Sequence, residues 1–191
     1  MKNKKIFKGI SLILIIIFCF TLSSCNNSSE KDVSTSTTST IENVDYKAIN
    51  LQVNYENKND EKIVYPYIIA IYNNQELENF YDENKENWDL SNNAKNVDKN
   101  FRKLIDEKYT EEFFNSNFLL VSMFKETDSE TFHKIKSIEK SGEETTINVQ
   151  KFLPTQRDGN ESFWIIPIVV DLKYKGTGYY LKIEDFDELK K

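Results

Sequence analysis

The sequence predicts an α+β protein with a largely antiparallel sheet of about six or seven strands and two or three short helices between the second and third strands. Three observations predict it. Ile49, Leu51, Val53 and Tyr55 alternate with Asn50, Gln52 and Asn54, the period of a half-buried strand. Between Asn73 and Asn115 the apolar residues move to spacings of three and four. From Phe118 onward the chain returns to strand-like runs.

The first strand ends at the polar turn Asn57-Lys58-Asn59-Asp60, and a second runs from Ile63 to Tyr72. Pro66 within it marks an edge strand or a bulge, because proline has no N–H for the ladder. Asn73 or Asn74 caps a helix carrying Leu77, Phe80 and Tyr81. A polar stretch from Trp88 to Asn96 separates it from a segment with Phe101, Leu104 and Ile105. Thr110-Glu111-Glu112 has the form of an N-cap with acids in the first turn, opening a short turn through Phe113 and Phe114. Phe118–Phe124 is apolar enough for a central strand. Phe132–Ile138 alternates loosely, Ser141-Gly142 is a turn, and Thr145–Phe152 alternates through Ile147 and Val149. In Ser162–Tyr174, residues Trp164, Ile166, Ile168, Val170 and Leu172 share one face, and Pro167 again marks an edge or a bulge. Gly176-Thr177-Gly178 reads as a hairpin turn into Tyr179–Ile183.

Before this domain lie a basic start (Lys2, Lys4, Lys5, Lys8), an apolar run from Ile10 to Phe20, and Leu22-Ser23-Ser24-Cys25. The run is about half the ~20 residues that span a bilayer, so residues 1–24 read as a secretory signal peptide. The ending resembles the lipobox of bacterial lipoproteins. That resemblance implies cleavage before Cys25, a lipid on its thiol, and a location on the outer face of the cytoplasmic membrane. Residues 25–42 follow as the lipidated cysteine and a disordered Asn/Ser/Thr linker, too polar to offset its ordering entropy. Residues 43–191 form one globular domain.

Cleavage would leave 21 basic against 31 acidic residues, a net charge of -10. Such a surface repels phosphate backbones, so nucleic acid is not an expected partner; the membrane is, through Cys25. Cys19 lies in the leader, so the mature domain would have neither disulfide nor thiol nucleophile.

A second resemblance lies in Tyr109-Thr110-Glu111-Glu112-Phe113-Phe114 with Phe118-Leu119-Leu120-Val121, continuing to Pro154 and Trp164. Over about residues 65–175 the pattern resembles Gram-positive lipoproteins with a domain similar to the protease complex subunit PrcB family. It implies a non-catalytic accessory domain working with a surface or secreted protease. The family's Ser-Gly-Ser element is replaced here by Asp128-Ser129-Glu130, three residues expected at a partner contact.

Catalytic signals are sparse. The single histidine, His133, reads as an exposed or half-buried strand residue, and alone it makes no multi-histidine zinc site. No Gly-x-Ser-x-Gly turn and no phosphate-cradling glycine loop is present. Glu126, Asp128 and Glu130 alternate as calcium ligands can but lack the turn glycine; Glu184, Asp185, Asp187 and Glu188 form a second acidic group. Neither metal nor cofactor is expected. Trp164 reads as core. Trp88, among Asn87, Asp89, Asn92 and Asn93, is open between packing and partner contact. The sequence thus points to a tethered protein-interaction module; the competing reading is a wall glycan- or peptide-binding lipoprotein using exposed aromatics such as Trp88.

Overall fold

The structure, a computed structural model, describes residues 40–54, 64–85, 87–90 and 100–186. The leader, Cys25, the linker to Ser39, the turn at Asn57–Asp60, and Asp187 and Glu188 lie outside the described residues. Among the described residues nine strands and two α-helices follow in the order β1 (Ile41–Asn43), β2 (Tyr46–Ala48), β3 (Leu51–Val53), β4 (Tyr67–Ile71), α1 (Asn74–Asn84), α2 (Phe101–Lys108), β5 (Asn117–Glu126), β6 (Phe132–Ser141), β7 (Glu144–Phe152), β8 (Ser162–Asp171) and β9 (Gly178–Phe186). Two sheets form instead of one. The inner sheet has the order β2-β8-β5-β4, with β3 also on β8, and the outer sheet has the order β1-β6-β7-β9.

The α+β character stands, but the described residues form nine strands where the sequence predicts about six or seven, and the helices fall at another place in the order. The expected first strand is the short β3, and β1 and β2 precede it, so the helices fall between the fourth and fifth strands. Three-residue strands carry too little periodicity to be read locally. Ile41 and Glu42, assigned to the linker, begin β1 and pair with Ser141 and Lys140.

The inner sheet is covered on both faces. Leu119, Val121, Met123, Phe163 and Ile165 pack with Leu77 and Phe80 of α1 and Phe101, Leu104 and Ile105 of α2. Phe118, Leu120, Phe124, Trp164, Ile166, Ile168 and Val170 face Ile135, Ile138, Ile147 and Val149 of the outer sheet. A strand buried on both faces needs no alternation, which is why β5 and β8 read as continuous apolar runs. The outer sheet has one buried face, and Lys136 is the extra residue of a bulge between Ile135 and Ser137. The bulge lets Ile135 and Ile138 both point inward, and it loosens the alternation of β6.

Local signals fix the helix layer. The Asn73 side chain accepts from Glu76 N at 2.8 Å, while Glu76 accepts from Tyr72 N at 2.8 Å, a reciprocal cap on α1. Asn100 caps α2 singly, its side chain accepting from Lys103 N. Arg102 forks onto Glu78 at 2.7 and 3.0 Å and ties the helices together. Thr110 is not an N-cap: the 3-10 turn Phe113–Asn115 starts after Glu112 with no side-chain cap.

The prolines separate. Pro66 precedes β4, an edge strand as expected. Pro167 sits in β8, which is central, opposite Val121. Its carbonyl accepts from Ile49 N at 3.2 Å, so the side lacking an N–H faces the break between β2 and β3. The ladder is already interrupted there, and a central proline is tolerated. Gly176-Thr177-Gly178 is not a hairpin either. It carries the chain from the inner sheet back to the outer one, where β9 pairs parallel to β7. Parallel neighbours need a crossover, and β8 supplies it. A Cβ on Gly176 would stand 2.6 Å from the Glu143 carbonyl, so that approach requires glycine.

Candidate functional site at the end of the outer sheet

The register of the outer sheet aligns two rows at one end. His133 pairs with Lys151 and Lys151 with Asp185; one residue along, Phe132 pairs with Phe152 and Phe152 with Phe186. Side chains alternate across a pleat, so the first row faces the inner sheet and the second faces solvent.

Glu126, at the end of β5, meets the inward row. Its Oε1 lies 3.0 Å from His133 Nε2, and its Oε2 is 2.6 Å from Lys151 Nζ. His133 is fully buried, which corrects the expectation of an exposed or half-buried residue. Its ring stacks on Phe124 with centroids 4.0 Å apart. Parity carried the signal: His133 shares a face with Ile135, Lys151 with Val149, and Glu126 with Phe124. Burial pushes the Glu126 carboxyl up, but the hydrogen bonds and charges of His133 and Lys151 outweigh it and hold it below the usual carboxylate range. An ionised carboxylate only accepts, so His133 Nε2 is the donor to Glu126, and Nδ1 is buried without a partner.

Beside this cluster the edges of β4 and β9 part. Near their shared end Tyr72 and Tyr179 hydroxyls are 2.8 Å apart. Further along lies a cleft of about 230 Å³ lined by Tyr65, Pro66, Phe124, Lys125, Glu126, Lys151, Ile183 and Asp185. It is smaller than the roughly 300–1,000 Å³ of pockets that enclose drug-sized ligands. Both Glu126 oxygens are already engaged, and the other carboxylate of the lining, Asp185, is exposed.

The outward row is an aromatic ladder with Phe132 exposed and Phe152 and Phe186 half-buried. Phe132 and Phe152 stack at 4.5 Å with parallel rings, and Phe152 and Phe186 lie 4.9 Å apart. Phe132 is 43% exposed and Tyr180, on the same face of β9, is 52% exposed.

The other expected site residues lie elsewhere. Trp88 is 2% exposed and packs in the helix-side core beside Tyr65, so it offers no open ring face to a sugar or partner. Asp128 is buried; its carboxylate accepts from Glu130 N at 3.1 Å and Asp158 N at 2.8 Å. Ser129 donates to Asp158, whose carboxyl is held well below its ordinary range by Ser129 and Asn160. Asp128-Ser129-Glu130 is thus mainly a lock between two loops, with Glu130 the exposed member. Glu126, Asp128 and Glu130 do not converge, and no cluster of three metal-ligating side chains occurs among the described residues. Trp164 is core as expected.

No family model, curated protein or solved structure matches the chain.

Proposed function

We propose that this chain is a lipoprotein on the outer face of the cytoplasmic membrane that acts as a non-catalytic protein-interaction module, accessory to a surface or secreted protease. The observation that carries the interaction reading is the Phe132–Phe152–Phe186 ladder on the solvent face of the outer sheet, with Phe132 exposed at its end; Tyr180 is exposed on the same face toward the other end of β9. Exposed aromatics that adjoin one another, rather than scattered ones, mark contact surfaces. The leader and Cys25 support the location, and the PrcB-like residues support the protease connection. The engaged Glu126 carboxylate supports a binding role over a catalytic one. The glycan reading lacks its tryptophan platform, since Trp88 is core.

Crosslinking on intact cells followed by mass spectrometry tests the proposal. The expected result is a defined exported protein recovered with the native chain and lost with F132A/F152A. Recovery of only abundant envelope proteins, equally with both chains, would overturn it. Cys25→Ala is expected to abolish incorporation of labelled fatty acid; retained label would overturn the anchor.

A further inference from the structure

The two edges of the outer sheet are finished differently. Opposite the exposed backbone of β6, groups from the chain crossing between sheets act as a seal: Val44 N donates to Ile138 O at 2.9 Å, Tyr46 OH to Ile135 O at 2.8 Å, and Asn50 Nδ2 to His133 O at 2.6 Å. The nine-residue β9 is the opposite edge, and among the described residues no strand pairs with its far side. Such an edge is a template for another strand unless charge or shape protects it. A lone lysine would protect it. Here Lys182 is followed by Glu184 on the same face, 3.2 Å away, so the protection fails against an antiparallel copy of the same strand.

We propose that β9 docks a second copy of this chain, strand against antiparallel strand, with Ile183 opposite its own equivalent. This register sets Lys182 opposite Glu184 of the second copy, and Tyr180 opposite Phe186, each pair occurring twice by symmetry. Every solvent-face position of the strand from Tyr180 to Phe186 then meets a complementary side chain. The aromatic ladder of one copy runs across the seam onto Tyr180 of the other. The inward-facing positions add an Ile183–Ile183 contact and set Asp185, which is exposed and lines the cleft, opposite Leu181 of the second copy. Lipid anchoring would confine copies to a plane and raise their effective concentration. The second copy is a partner for the interaction module proposed above, and its assignment rests on that reading.

The charge pattern supplies the test. The full chain, purified in detergent, is compared with K182E, E184K and K182E/E184K by sedimentation. Either single reversal sets like charges opposite each other twice and is expected to weaken association about tenfold. The double reversal restores the complement and the dimer. Equal masses for all four chains would overturn the register. Because two anchors can share a micelle, a second measurement uses cells making two tagged full chains, one K182C and the other E184C. Mild oxidation is expected to join the two tags, since directly opposed residues lie within disulfide reach. Absence of that product, or a disulfide from the K182C chain to a different protein, would overturn self-pairing, and the latter would leave the interaction reading standing. A joined dimer in a chain recovered from the soluble fraction would uphold the pairing and overturn the anchor.

Discussion

The inner and outer sheets share one core but do different work. The inner sheet is covered by helices on one face and by strands on the other, so neighbouring residues of β5 such as Leu119 and Leu120 are both fully buried. The outer sheet alternates: Val149 is buried while Gln150 is half-exposed. One sheet holds the fold together, and the other leaves a face free to evolve contacts.

The largest effects should therefore come from the inner sheet and its helix layer. Trp88→Ala is expected to destabilise by about 3–5 kcal/mol, and Leu119→Ala and Leu120→Ala by about 2–5 kcal/mol each, in urea unfolding. The two adjacent leucines are the sharper test. If either were nearly neutral, burial on both faces would be wrong. In the outer sheet, Val149→Ala should be costly and Gln150→Ala nearly silent.

Glu126→Gln should come next, at about 2 kcal/mol near neutral pH, because it leaves Lys151 without its anion in a mostly buried setting. The sign with pH follows from the depressed carboxyl. A group whose folded pKa lies below its unfolded one contributes stability above the unfolded value and loses it as pH falls through the folded one. Native and E126Q stabilities should therefore converge as pH drops below about 4. A gap that stays constant down to about pH 2 would sever the stabilising role from ionisation.

The smallest effect on folding belongs to the aromatic ladder. Phe132→Ala removes a stacked but exposed ring and should cost no more than about 1 kcal/mol. A loss of partner recovery much larger than that loss of stability would separate contact from fold.

The same contrast explains what the sequence made legible. β5, β8 and the two helices were visible because their signals are local: continuous apolar runs, Asn73 as a cap, and spacings of three and four. β1 and β2 were not, since their pairing with β6 and β8 is made by residues far along the chain. Pro167 misled for the same reason: a proline in a central strand is excused only by a break in its neighbour. At the candidate site the parity of His133 with Ile135 announced burial. The pairing of β7 with β9, which lines up Phe132, Phe152 and Phe186, follows from topology and had no local sign. Trp88 looked open to a partner because polar residues surround it in sequence, while its contacts come from Tyr65 and the helix-side core.

The central claim is that the outer sheet's solvent face makes the contact. Photocrosslinking from single positions in the full chain on its native membrane tests it most directly. A photoreactive residue at Phe132 should yield a discrete adduct, while one at Lys103, exposed on α2, should yield none. An adduct from position 103 with none from position 132 would contradict the account.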